Sequence, residues 1–384
     1  MDPEAKIASK ADPLMPLAST TRGISTQPAL SKADMSQRIA ADSFEERFSV
    51  HSFEDRMPVA TDFTSRSSAW TSAGDRRGTV PSGSARAKAG DRIATVPSGS
   101  YKVASLSPEL PNTISPVKQG QTRLIGFENS AFPYSGSNPR TGKSYSHSAR
   151  YSDNRVLVHV PAGFDVRKPG VIVVFFHGHG ATLERDVRDR QLVPAQITES
   201  GANAVLVAPQ LAYDAADSSA GKFWEPGGLK RFLAEAADHL AHVYGDARAS
   251  EAFAKMPVVI VAYSGGFVSA AWSLHVGGLG KRVTGVVLLD ALYGEMDKFA
   301  SWIINNRSAF FISAYTHYTK RRDDELARIL RDEGIPVTRE LNGPLKPGTV
   351  AFLATGEGIR HRDYVTLAWT EHPVKDVLLK IAKR

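Results

Sequence analysis

The stretch VVIVAYSGGFVSAAW, Val258–Trp272, joins two kinds of sequence at a single serine. The residues before Ser264 form a continuous apolar run of strand length, and those after it have an amphipathic helical pattern. A sharp strand-to-helix turn forces the serine into an unfavourable backbone geometry, so the residues two before and two after it, here Ala262 and Gly266, must be small. The stretch predicts a nucleophile turn, with an ordinary glycine-rich turn as the alternative reading.

Similar apolar runs recur from residue 121 to the end of the chain. They read TRLIGFENSAFPY, RVLVHVP, GVIVVFFHGHG, ANAVLVAPQL, VTGVVLLDALYG, SAFFISAYT and TVAFLATGEG. Helical patterns alternate with them, namely GLKRFLAEAADHLAHVYG, MDKFASWIINN, DDELARILRDEGI and PVKDVLLKIAKR. Continuous Val/Ile/Leu runs are typical of strands buried on both faces, and strand–helix alternation is typical of parallel sheets. We therefore predict a doubly wound, mostly parallel α/β domain over residues 121–384, with its site at the carboxyl ends of the strands.

Residues 1–120 differ from this domain in composition. They are rich in Ser, Thr, Ala, Pro, Asp and Arg without a sustained apolar period, which predicts a mostly disordered arm. The unit at Ala73–Ser84 recurs at Ala89–Ser100, matching at 10 of 12 positions with an offset of 16 residues. Two copies are too few for a stacked repeat fold, so the repeat is a duplicated linker or a short motif for a partner or a secretion system.

Composition excludes several classes of protein. The 384 residues carry a formal net charge of +7 without a dense Lys/Arg cluster, so we expect no nucleic-acid partner. The absence of cysteine excludes disulfides, thiolate catalysis and cysteine metal sites. We find no Sec signal peptide and no apolar run of the roughly 18–20 residues that would span a bilayer. A soluble protein, either cytoplasmic or exported by a non-Sec route, is expected.

The chain from about residue 121 onward, roughly two thirds of its length, resembles the α/β-hydrolase superfamily. Ser264 in AYSGG matches the nucleophile position, although Ala262 stands where the strict motif has glycine. The segment HGHG, His177–Gly180, matches the oxyanion loop that follows an earlier strand. The resemblance implies that the backbone N–H of Gly265, with that of Gly178 or His179, stabilises an oxyanion.

The resemblance also implies an acid and then a histidine later in the chain. We assign the histidine to His361, in GEGIRHRDY beyond the last apolar run. The rival, His372, precedes Pro373, and we interpret it as the entry to the final helix.

The acid is assigned to Asp290, directly after the run GVVLL, because the more usual place after SAFFISAYT offers no nearby carboxylate. Asp323 and Asp324 follow that run later, where they read as the start of a helix, and Glu295 and Asp297 are held in reserve. The alternative for Asp290 is a structural strand-end carboxylate.

Aromatic residues of the irregular segment Gln210–Gly228 are candidates for substrate binding. Tyr213 and Trp224 could form an apolar wall, or the segment could simply pack against the domain. His177 and His179 could bind a metal, but two histidines separated by one residue are weak evidence without a third ligand, so we predict no metal and no cofactor.

The sequence thus predicts a serine hydrolase with a Ser-Asp-His triad. Its substrate would be a small-molecule or polymeric ester or amide, with a carboxylic ester favoured over an amide or peptide. Only about 20 residues separate the Asp290 strand from the next, so we expect no large lid. The alternative is a non-catalytic module of the same fold, with the arm mediating interaction or export.

Overall fold

The computed structural model describes residues 120–142, 144–145 and 148–382. The predicted arm and its repeat lie outside these residues, except for Gly120.

Eight strands form one sheet with the order β1-β2-β4-β3-β5-β6-β7-β8. The strands are β1 Gln121–Gly126, β2 Arg155–Val160, β3 Val171–Phe176, β4 Ala204–Pro209, β5 Val258–Tyr263, β6 Val283–Leu289, β7 Phe310–Tyr315 and β8 Val350–Ala354. Strand β2 runs antiparallel to both β1 and β4, and all pairings from β4 to β8 are parallel. The predicted doubly wound, mostly parallel sheet is confirmed.

The central strands are buried on both faces, as their continuous apolar runs predict. In β5, Val258 and Ile260 belong to one hydrophobic cluster, and the alternate residues Val259 and Val261 belong to another. Successive side chains of a strand point to opposite faces, so the two clusters are the two sides of the sheet. A strand covered on both sides has no polar face to present to water, which is why no alternation appears in its sequence.

Seven α-helices in the described part of the chain cover the sheet. They are α1 Val193–Glu199, α2 Gly228–Tyr244, α3 Ser250–Lys255, α4 Phe267–Val276, α5 Met296–Asn305, α6 Lys320–Asp332 and α7 Pro373–Ala382. Helices α2 to α6 contribute to the cluster that contains Ile260, and α1 and α7 contribute to the cluster that contains Val259. The sequence patterns predicted the long helices but not the short helices α1 and α3, which have too few turns for a clear period.

A single helix, α5, occupies the connection between β6 and β7, as the spacing predicted. Within the residues that the structure describes, no helix is both long enough and apolar enough to cross a membrane.

Candidate active site

Ser264 lies at the turn between β5 and α4, where the backbone is forced into a left-handed conformation. Its φ is +50°, a region that non-glycine residues seldom occupy and that costs free energy when they do. A short helical turn, Ser264–Gly266, leads directly into α4. Ser264 is only 1% exposed, so the turn presents its hydroxyl to neighbouring side chains rather than to open solvent.

The small residues around Ser264 are required by close packing. A Cβ atom on Gly266 would lie 2.4 Å from the carbonyl oxygen of Phe176 at the end of β3, so a larger residue would push the turn away from the sheet. Ala262 is fully buried in β5, and its single methyl group is accommodated at the place where the strict motif has glycine.

His361 and Asp290 complete a chain of hydrogen bonds with Ser264. The Nε2 atom of His361 lies 2.9 Å from Ser264 Oγ, and Nδ1 lies 2.6 Å from Asp290 Oδ2. An ionised carboxylate can only accept, so Nδ1 carries a proton towards Asp290 and Nε2 is free to accept the proton of Ser264. The structure therefore brings together the three residues that the sequence singled out.

Other groups besides His361 donate hydrogen bonds to the carboxylate of Asp290. Asp290 is fully buried at the end of β6, with φ of +45°. It accepts hydrogen bonds from the backbone N–H of Thr316 at 3.0 Å, from the Thr316 hydroxyl at 2.8 Å and from the Thr319 hydroxyl at 3.2 Å. These donors satisfy a buried charge that would otherwise be costly, and they fix its orientation towards His361. Sequence reasoning missed both threonines, although THYT, residues 316–319, directly follows β7.

Three tyrosines surround the ring of His361. Tyr263 stacks on it with ring centroids 5.1 Å apart, and its hydroxyl donates to the His361 carbonyl at 3.0 Å. Tyr293 and Tyr318 approach edge-on, at centroid distances of 6.2 and 6.1 Å. Of the three, Tyr318 is strongly exposed, at 46%, and so stands at the outer rim of the site.

The HGHG segment packs directly against the turn at Ser264. A Cβ atom on Gly178 would lie 2.8 Å from the Cβ atom of Ser264, and one on Gly265 would lie 2.3 Å from the ring of His179. Glycine is therefore needed at both positions for the two backbones to approach. Gly265 also lies in the first turn of the helical segment that begins at Ser264, where backbone N–H groups lack helical partners.

The side chain of His177 fixes the conformation of the HGHG segment through three hydrogen bonds. The residue is buried, and its Nε2 accepts from the backbone N–H of Leu211 at 2.9 Å and from the Gln210 amide at 2.8 Å, while Nδ1 donates to the Gly178 carbonyl at 2.8 Å. Burial lowers the pKa of His177 to about 4, so the ring is neutral around neutral pH. His177 thus links the ends of β3 and β4.

The side chain of His179 connects two segments near Ser264. Its Nε2 forms a hydrogen bond of 2.5 Å with the Ser218 hydroxyl. Burial lowers the pKa of His179 to about 4, against the opposing charge of Asp217. The side chain therefore connects the HGHG segment to the irregular segment after β4.

The two candidate substrate-binding residues differ in position. Trp224 is only 7% exposed and packs against Tyr134 and Tyr145, which corresponds to the packing alternative for this segment. Tyr213 is half-buried, and its backbone N–H donates to the carbonyl of Arg150. No contact that the structure describes joins either residue to Ser264, and their role in substrate binding stays a prediction.

The rival residues have other partners. His372 precedes α7, with Nδ1 3.7 Å from Glu199 of α1, which fits its interpretation as a helix-entry residue. Glu295 pairs with Arg140 at 3.0 Å and with Lys298 at 2.6 Å. In the described residues no three His, Cys, Asp or Glu side chains lie close enough together to hold a metal ion.

Comparison with known proteins gives similarities of structure alone. No family model and no curated protein matches the chain. Among solved structures, a feruloyl esterase module from Clostridium thermocellum is 14% identical, with 70% of this chain and 95% of the module covered and a TM-score of 0.40. Esterase 2 of Thermogutta terrifontis is 11% identical, covering 59% of this chain and 86% of the esterase, with a TM-score of 0.35. An S-formylglutathione hydrolase from Agrobacterium tumefaciens is 12% identical, covering 63% and 88%, with a TM-score of 0.35.

The fold itself can be identified from its topology. The second strand alone is antiparallel to the strands from β3 to β8, the serine turn follows β5, and an acid and a histidine follow later strands in that order. A strained strand–serine–helix turn with this chain order is characteristic of α/β-hydrolases. The chain adopts the α/β-hydrolase fold.

Proposed function

We propose that the chain is a serine hydrolase that cleaves carboxylic esters through an acyl-enzyme intermediate. The observation that carries the proposal is the continuous chain of hydrogen bonds from Ser264 through His361 to Asp290. A serine hydroxyl is a weak nucleophile at neutral pH, and an adjacent base that is itself oriented by a third group is the arrangement that activates it.

The proposed reaction has the following steps. Nε2 of His361 removes the proton of Ser264 Oγ as that oxygen attacks the ester carbonyl, and the imidazolium so formed is stabilised by Asp290. The carbonyl oxygen becomes an oxyanion, which accepts hydrogen bonds from the backbone N–H of Gly265 and from that of Gly178 or His179. His361 then returns the proton to the alkoxide leaving group, and water repeats the sequence to release the acid.

The proposal favours an ester over an amide because an alkoxide leaves with less help than an amine. In the described residues, a single helix and no large insertion lies between β6 and β7. Tyr318, at the rim of the site, is exposed. A small or a polymeric ester is compatible with this arrangement.

The alternative of a non-catalytic module would be favoured if His361 could reach neither Ser264 nor Asp290. The distances of 2.9 Å from His361 Nε2 to Ser264 Oγ and 2.6 Å from His361 Nδ1 to Asp290 Oδ2 support the hydrolase instead.

A fluorophosphonate probe tests the proposal directly. We expect the wild-type protein to be labelled at Ser264 and Ser264→Ala to be unlabelled, because the probe forms its covalent bond only with an activated serine. Ser273→Ala is the matched control, since Ser273 is a buried serine of α4 in an ordinary helical position. The absence of labelling in folded wild-type protein, or equal labelling of Ser264→Ala, would contradict the proposal. If Ser264 is labelled as expected, a panel of acyl esters and amides would define the substrate.

The division into an arm of residues 1–120 and a hydrolase domain of residues 121–384, and export by a non-Sec route, also stay proposals. Fusing the first 120 residues to a reporter and assaying the medium tests whether the arm directs export.

A further inference from the structure

A second buried carboxyl group lies beside the triad acid. Asp323, in the first turn of α6, is fully buried, as is Asp290 at the end of β6. The hydrogen-bond chain proposed to activate Ser264 runs through His361 to Asp290. Asp323 has no part in that chain. Fully buried carboxyl groups are rare unless they are paired, so this one calls for an explanation.

The hydrogen bonds of Asp323 are incomplete for an ionised group. The hydroxyl of Ser313, on β7, donates to its Oδ1, whereas its Oδ2 has no hydrogen-bond partner among the residues that the structure describes. An ionised carboxylate with a buried, unpaired oxygen is costly, whereas a protonated carboxyl group carries no charge to remove from water and costs less to bury. Burial raises the pKa of Asp323 to about 7, with the charge of Asp290 acting in the same direction and the Ser313 and Thr319 hydroxyls opposing it.

Thr319 lies between the two carboxyl groups. Its hydroxyl has one proton, which it donates to Asp290 Oδ1 at 3.2 Å. The same hydroxyl is a neighbour of Asp323 and would stabilise that group if it were charged. A negative charge on Asp323 therefore competes with Asp290 for the single proton, and a protonated Asp323 does not.

We propose that Asp323 is a positioning residue that carries a proton in the resting enzyme and thereby keeps the Thr319 hydroxyl directed at Asp290. Loss of that proton draws Thr319 away from Asp290 and adds a second negative charge beside Asp290, the hydrogen-bond partner of His361. The weaker hydrogen bonding leaves Asp290 a stronger acceptor, and the added negative charge favours a cation, so both changes stabilise the imidazolium form of His361. Asp323 would then adjust the pH at which His361 becomes a base. This inference rests on the proposed function for its catalytic consequence, although the coupling of the two groups does not.

The other ionisable groups around Asp323 are few and come from each neighbouring element. They are Asp290 after β6, Asp324 on its own helix, Tyr293 before α5, Tyr315 at the end of β7, and Tyr364 after β8. Burial raises the pKa of each of the three tyrosines, so they are neutral around neutral pH. Asp324 is partly exposed and pairs with Lys320 and Arg339.

The test is an NMR titration of the His361 ring in the full-length protein, with the signal assigned by its loss in His361→Gln. Asp323→Asn keeps the shape of the side chain but cannot ionise. We expect the pKa of His361 to be lower in Asp323→Asn by about half a pH unit, and its titration to follow a single proton rather than a broadened, coupled curve. The acidic limb of kcat/KM for an ester substrate should move in the same direction, which is roughly a threefold gain relative to the plateau at a fixed low pH.

Two further variants separate positioning from structural damage. Ser313→Ala removes a bond that stabilises the charged form of Asp323, so it should shift His361 in the same direction by a smaller amount. Asp324→Asn is the matched control on the same helix and should change the pKa of His361 by less than Asp323→Asn does, because Asp324 is paired with Lys320 and Arg339. An unchanged pKa in Asp323→Asn, a higher one, or an equal shift in Asp324→Asn would overturn the proposal. A shift seen by NMR in a protein that hydrolyses no ester would support the coupling and contradict the proposed function instead.

Discussion

His361 and His177 both lie close to the Ser264 turn, yet their surroundings give them opposite chemistry. The ring of His361 lies between a carboxylate and a hydroxyl, so it can take up a proton and pass it on. The ring of His177 lies between a carbonyl and two N–H groups, and burial lowers its pKa to about 4. Residue type alone does not distinguish the proposed base from the structural histidine. The two residues differ in burial, since His177 is buried and His361 is partly exposed, and in the groups that each ring nitrogen meets.

The largest effect should come from His361→Gln. Without a base, the Ser264 hydroxyl keeps its proton, so kcat for ester hydrolysis should fall by roughly 10⁴-fold to 10⁶-fold. Steady-state hydrolysis of an activated ester measures this, and fluorophosphonate labelling should fall with it. If His361→Gln kept activity within tenfold of wild type, His361 would not be the base, and its proposed difference from His177 would be wrong.

Asp290→Asn should have the next largest effect on activity. The amide can donate a hydrogen bond to Nδ1, which favours the wrong tautomer and leaves the imidazolium without a counter-charge, so kcat should fall by about 10⁴-fold. The same hydrolysis assay measures this. Asp297→Asn, an exposed carboxyl after the same strand, is the control and should retain full activity.

His177→Phe should act mainly on stability. The phenyl ring fills the space but leaves the Leu211 N–H, the Gln210 amide and the Gly178 carbonyl without their partner, so the free energy of unfolding should fall by roughly 2–4 kcal/mol. Denaturant unfolding measures this, with His361→Gln expected to lie within about 1 kcal/mol of wild type. If His177→Phe were as stable as wild type, the link between β3 and β4 would not contribute as described.

The smallest effect is on the pH dependence of stability. The pKa of folded His177 is lowered from 6.5 to about 4, so the unfolded state binds more protons between these values and the free energy of unfolding decreases as pH falls from 6.5 towards 4. His159 and His179 have pKa values lowered to about 4 by burial and add to the slope. His177→Phe should reduce the slope by up to about 1.4 kcal/mol per pH unit, measured by unfolding at several pH values. An unchanged slope would mean that His177 is protonated in the folded protein.

The sequence was informative wherever a local pattern sets a local structure. The run before Ser264, the small residues around it and the helix after it are neighbours in the chain, and the structure places them as a strand, a turn and a helix. Asp290 could be singled out because it ends an apolar run, and His361 because it follows the last one. The Ala262 substitution weakened the motif, but a single methyl group fits in the packed strand.

The sequence could not reveal contacts between segments that are distant in the chain. The bonds from Thr316 and Thr319 to Asp290 join residues 26 and 29 positions apart, and Gln210 reaches His177 across 33 positions. Trp224 is an aromatic residue of a type that often lines substrate pockets. Its packing against Tyr134 and Tyr145 could not be read from the sequence, because those tyrosines belong to a segment before β2.

What the sequence determined by itself was the order of strands and helices, the turn at Ser264 and the set of residues at the strand ends, because hydrophobic periodicity and turn chemistry are local. What only the tertiary structure decided was which nitrogen of each histidine meets which group, and which buried carboxyl group holds His361. Those properties depend on the order of strands across the sheet, which brings the ends of β5, β6 and β7 together and surrounds each side chain with groups from other segments.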